Sequence, residues 1–135
     1  MVTRFTGIPY AEPPVGPLRF VPPVPAVGPA TGAVVVAPQG PSRLVAAVGD
    51  VTAPQSEDCL QVCVTTPVVD DARRPVLVWL HGGGYSSGGG ALDWYDGSTL
   101  AREGDVVVVG VTTGWVRWAS CASRARATET PGYST

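Results

Sequence analysis

Residues 75–90 read P-V-L-V-W-L-H-G-G-G-Y-S-S-G-G-G, and the reading of this stretch decides the fold. An unbroken apolar run, Val76 to Leu80, passes straight into His81 and then Gly82, Gly83 and Gly84. A short apolar run bounded by punctuating residues predicts a strand buried on both faces of a parallel sheet. Glycines directly after such a strand let the backbone turn and present amides that no Cβ shields. A loop of this kind can gather N–H donors around a negatively charged oxygen. Glycines alone would also suit a plain flexible loop, above all Gly88 to Gly90. The strand and the histidine ahead of them favour a site.

Outward from the loop, Leu60, Val62 and Val64 alternate with Gln61, Cys63 and Thr65. This alternation predicts a half-buried strand that stops at Pro67. Residues 68–74 form a polar turn. Beyond the glycines, Asp96 or Ser98 can cap a short helix through Glu103, with Gly104 closing its end. Val106 to Val111 is a second continuous apolar strand. Strand, short helix and strand in this order predict an α/β architecture with at least part of a parallel sheet. Upstream, the prolines of residues 5–29 exclude helix and central strand. Two readings fit that segment: a polyproline ligand, or an extended strap packed through Phe5, Ile8, Tyr10, Leu18 and Phe20. The aromatic and aliphatic residues between the prolines favour the strap. Residues 30–55 are weakly patterned and read as loop, with one short strand around 33–36.

At 135 residues the chain is at most one modest domain or a part of one. Hydrophobic residues make up 44% of it, which argues for a globular piece rather than a disordered one. The 17 glycines and 14 prolines favour long connections over regular structure. A net charge of −2 supplies no basic patch for nucleic acid. All nine basic residues are arginine, and neither lysine nor asparagine occurs, which points to GC-rich, bacterial coding DNA. The spacing of Cys59, Cys63 and Cys121 predicts free thiols, and with a single histidine neither a metal nor another cofactor is expected. The first residues lack an apolar leader region, and no segment is long enough to span a membrane. The expectation is therefore a cytoplasmic protein.

Taken together, F-T-G-I-P-Y-A-E-P-P-V-G-P-L-R-F, S-E-D-C-L, R-P-V-L-V-W-L-H-G-G-G-Y and G-D-V-V-V-V-G-V resemble the start of the type B carboxylesterases, the serine hydrolases that include the cholinesterases. The resemblance covers Phe5 to Val111 and rests on several motifs in the family's order. It implies the N-terminal portion of an α/β-hydrolase fold with an incomplete sheet. It also implies hydrolysis of a small-molecule carboxylic ester through a serine acyl-enzyme. By motif, Gly83 and Gly84 would give backbone N–H groups to the oxyanion hole. Gly82 and Tyr85 would border the substrate more weakly. Arg19 and Glu57 would form a structural ion pair tying the strap to the sheet. His81 would stand beside the hole and would not be the triad base. Cys63 occupies a position where the family usually has asparagine, so a local hydrogen bond is expected to be missing.

After Val111 the family pattern continues with N-Y-R-L-G-A-L-G-F-L, whereas this chain reads T-T-G-W-V-R-W-A-S-C. Restoring one lost base after the Val111 codon lets the same DNA encode both. Tryptophan has a single codon, so Trp115–Val116 and Trp118–Ala119 must each give glycine in the restored frame, where the family pattern has glycine. Residues 112–135 are therefore read as a frameshifted, unstructured tail. The G-x-S-x-G nucleophile elbow, the acid and the base of a catalytic triad are read as absent. The chain is then a fragment, inactive alone and prone to aggregate through its uncovered strands. The alternatives are a non-catalytic adhesion-type relative of the same fold, or a small module recognised through its proline-rich strap.

Overall fold

The computed structural model describes residues 1–40, 53–84 and 86–114. The expected tail falls almost wholly outside them, as does Tyr85. Four strands form one mixed sheet: β1 (Thr3–Pro9), β2 (Gln61–Thr66), β3 (Val76–Leu80) and β4 (Val107–Val111). Their order is β1-β2-β4-β3. β1 and β4 both run antiparallel to β2, whereas β3 and β4 are parallel. The parallel pair is joined through the glycine loop and a short helix, α1 (Ser98–Gly104), because parallel neighbours need a crossover.

α1 starts where Asp96 Oδ1 accepts hydrogen bonds from the Ser98 N–H and the Ser98 hydroxyl, at 3.1 and 2.6 Å. These donors hold the Asp96 carboxyl below its usual range. The helix ends one residue later than the sequence suggests. Asp105, with φ of 48°, takes the left-handed position, and Gly104 stays helical. An aspartate tolerates that conformation, and its Oδ1 accepts from Arg74 Nε at 2.6 Å.

Register rows set the faces of the sheet. One row is Phe5, Val64, Val109 and Val78; the next is Ile8, Val62, Val111 and Leu80. The opposite face carries Arg4, Cys63, Thr65 and Val108. α1 covers that second face: Ala101 is fully buried, and Val108, Cys63 and Thr65 are all below 6% exposed. The strand parity expected for β2 is thus reversed, with Gln61, Cys63 and Thr65 buried and the valines half-buried. β3 departs further: it is an edge strand exposed at every position, not one buried on both faces. On the second face α1 packs on β2 and β4. No helix among the described residues packs across the valine face, so pattern alone could not show which side is covered. Trp79 alone on β3 gains a ring partner, Tyr95, at 5.7 Å.

The prolines do not exclude a strand at the very start of the chain. β1 precedes most of them and sits at the other edge of the sheet, where a proline is tolerated. The strap beyond it is tied down, since Glu12 N–H donates to Val24 O and Thr31 N–H to Gly7 O. Phe5, Tyr10 and Phe20 nonetheless remain more than two-fifths exposed. In the next segment Val36 is fully buried and bridges Gln55. Val36 bonds on both sides, its N–H to Pro54 O and its carbonyl from Ser56 N–H.

Cys59, 2% exposed, lies in the small core with Ala37. Burial, with Asp58 and Glu57 alongside, pushes its thiol up to about 11. Burial likewise raises Tyr10, whose hydroxyl donates to Thr112 O at 3.1 Å, to about 12. Both groups fold in the protonated form, so their contribution is intact below their ordinary values of 9.0 and 10.0. It is lost as pH rises through the folded values. Urea melts at rising pH are expected to show stability falling from about pH 9 toward 11. Cys59→Ala should flatten the first part of that slope; an unchanged slope would remove Cys59 as its source.

Candidate active-site loop

The loop begins where β3 ends, and its first residue is a brace. His81 Nδ1 donates to Gly82 O at 2.8 Å, and Nε2 is hydrogen-bonded with the Thr113 hydroxyl at 3.1 Å. The histidine is thereby occupied on both nitrogens. Gly83 has φ of 131°, which L side chains rarely adopt, and a Cβ there would collide with the Ser87 carbonyl. Its own carbonyl accepts from Ser86 N–H at 3.1 Å and Ser87 N–H at 3.2 Å, closing the loop on itself. Among the described residues, neither the Gly83 nor the Gly84 N–H meets an intramolecular acceptor. Gly82 and Gly84 are exposed and Gly83 is half-buried. The far end of the loop is pinned to the sheet, with Gly90 N–H donating to Thr112 Oγ1 at 3.1 Å. Arg4 of β1 reaches the same region: Nη2 donates to Ala91 O at 2.7 Å and Nε to Cys63 Sγ at 3.1 Å. The Cys63 position therefore has a hydrogen-bond partner where a missing bond was expected.

The letters G-x-S-x-G do occur once, as Gly84–Gly88, so their reading as absent needs correcting. The spelling does not bring the geometry of a nucleophile elbow, which is a strand–turn–helix with the serine at its tip. Ser86 lies in the turn that closes the loop, its hydroxyl donating to Gly83 O at 2.9 Å. No helix follows directly; the next element is a 3-10 turn, Asp93–Tyr95.

Arg19 and Glu57 meet at a distance from this loop, Nη2 donating to Oε2, each side chain about one-third exposed. The pair joins the strap to the segment entering β2 and borders a cavity of about 220 Å³. Leu18, Phe20, Val24 and Leu60 help to line that cavity, and no residue of the glycine loop does. Sequence reading did not pick out Gln39, Thr112 or Thr113. Their side chains touch the loop from segments with no periodicity or motif to mark them.

A parallel strand pair leading into such a loop, within a mixed sheet, is part of an α/β-hydrolase fold. Solved structures agree: a thermophilic pNB esterase superposes with a TM-score of 0.71 and 39% identity, over 87% of this chain and 25% of that one. The sequence profile of the carboxylesterase family matches residues 1–112, and the chain belongs to that family. It is 44% identical over 118 residues to acetylcholinesterase-1 of Trittame loki, covering 81% of this chain and 21% of that protein. It is also 44% identical over 113 residues to para-nitrobenzyl esterase of Bacillus subtilis (strain 168), covering 80% and 23%. The chain thus spans between a fifth and a quarter of the length of these relatives.

Proposed function

We propose that this chain forms the oxyanion-binding wall of a carboxylic ester hydrolase, with Gly83 and Gly84 as the donors. The observation that carries the reading is the pair of N–H groups left without an acceptor among the described residues, on a loop that a strand, a histidine brace and a closed turn hold in place. In acyl transfer from an ester, a nucleophile adds to the carbonyl carbon and the carbonyl electron pair moves to oxygen. Two amide donors waiting at that oxygen stabilise the tetrahedral intermediate before it collapses and expels the alkoxide. The serine, acid and base of such a mechanism are assigned to polypeptide other than residues 1–111. Residues 112–135 are inferred to be read out of frame, and nucleotide sequence around the Val111 codon tests that directly. The 135-residue chain is inferred to be inactive alone.

Purified chain is therefore expected to leave p-nitrophenyl acetate at the buffer rate. Turnover blocked by a serine-directed organophosphate and abolished by Ser86→Ala would overturn the inactivity. The donor role is tested in a chimaera carrying residues 1–111 in place of the matching part of the Bacillus subtilis esterase. A soluble, folded chimaera without ester turnover would count against it.

A further inference from the structure

We propose that Gln39 is a positioning residue for the glycine loop, its carboxamide holding Gly88 by both backbone groups. Gln39 Oε1 accepts from the Gly88 N–H at 2.8 Å, and Nε2 donates to the Gly88 carbonyl at 3.2 Å. The second Nε2 hydrogen goes to Ala37 O at 3.2 Å, so the whole amide is used. Glutamine suits this task because its side chain carries a donor and an acceptor side by side, as a neighbouring strand would. The mount is firm. Gln39 N–H donates to Gln55 Oε1 at 2.9 Å, on the same bridged segment that buries Val36.

The hold on Gly88 reaches the donors because Gly88 stands against the start of the loop. Its φ is 112°, and a Cβ on it would come within 2.5 Å of both the Gly82 carbonyl oxygen and His81 Nδ1. His81 Nδ1 and Gly82 O are themselves hydrogen-bonded to each other. Fixing the Gly88 peptide therefore fixes one side of the Gly82 carbonyl, and the same planar peptide unit carries the Gly83 N–H. The Gln39 side chain bonds to Ala37 and Gly88, neither of them a proposed donor. It acts through the loop, 49 residues away in sequence. This inference rests on the proposed donor role of Gly83 only for its catalytic consequence; the hold on the loop is independent of it.

Amide hydrogen exchange of the full 135-residue chain tests the hold, in a Val78→Lys, Leu80→Lys background that keeps it monomeric. Gln39→Met removes donor and acceptor at similar length. It should speed exchange at Gly88, Ser86 and Ser87 at least 10-fold, with Cys63 and Val109 in the sheet unchanged. Gln39→Glu keeps the acceptor but sets a carboxylate against the Gly88 carbonyl. It should also free the loop, which guards against the methionine variant failing to fold. Unchanged loop amides, or equal acceleration in loop and sheet, would overturn the proposal. In the chimaera, Gln39→Met should lower kcat about 10-fold with KM within twofold, the split expected when only transition-state contacts are misplaced. A rise in KM with kcat kept would overturn the positioning role. An unmutated chimaera without activity would sink the donor assignment instead, leaving the exchange result to decide on Gln39.

Discussion

Gly83→Ala is expected to open the glycine loop while leaving the four-stranded sheet paired. The alanine must hold φ near 131° and place a methyl group into the Ser87 carbonyl, which is backbone and has no rotamer to yield. A non-glycine residue forced into such a conformation costs about 1–3 kcal/mol, and added bulk at a tight contact about as much again. The Ser86 and Ser87 bonds to Gly83 O are the contacts at the point of collision, so the turn should relax there rather than hold the strain. The first bonds lost would be those of Ser86 and Ser87 N–H to Gly83 O, visible as faster amide exchange at both residues. In the chimaera the loss of one aligned donor should reduce kcat by about 100- to 1,000-fold. Slow, wild-type exchange at Ser86 and Ser87 would show that the loop tolerates the methyl group and that the steric account is mistaken.

The second large effect concerns association. β3 presents a free edge and an open face, with Val76, Val78 and Leu80 at 59, 58 and 66% exposed. Beside them run Val109, Val111, Val62 and Val64 in continuous register rows. A flat apolar edge strand invites pairing with another copy, and an apolar face of this extent invites burial. At tens of micromolar the chain is expected to elute from gel filtration as dimers and larger species. Val78→Lys with Leu80→Lys should return it to a monomer. Burying a valine or leucine is worth about 1.5–3 kcal/mol, so losing two per copy weakens association by roughly two orders of magnitude or more. Both positions are exposed, so the substitutions should cost the monomer little. A wild-type chain that runs as a monomer at the same concentration would refute the expectation.

What could be read from the sequence divides along a physical line. Strand positions β2, β3 and β4 follow from apolar runs and their bounding prolines and glycines, which act locally. Which side of β2 is covered does not, because Val62 and Cys63 are both apolar enough for either side and α1 happens to lie over the cysteine. β3 reads as buried on the pattern that suits a central strand, yet burial depends on what covers its faces, and among the described residues no helix packs across its valine face. Asp105 rather than Gly104 takes the left-handed position, and it pairs there with Arg74 just ahead of the neighbouring strand β3, a contact no local pattern announces. At the loop, His81 and the glycines stand out by composition. Gln39 does not, since a single glutamine between a proline and a glycine carries no signal until Gly88 is folded against it.

The strand order has a consequence for how the molecule comes into being. Among the described residues β4 is the only strand that pairs with both β2 and β3. It is also the last of the four to leave a ribosome. β1 and β2 can zip together earlier as a lone pair of strands, but β3 has no neighbour until Val107 to Val111 has been made. At the usual ~5–20 residues per second, β1 waits roughly 5–20 s for that event. The rest of the sheet is therefore decided in one late step, and a polypeptide stopped about ten residues earlier would have only the antiparallel β1–β2 pair to fold.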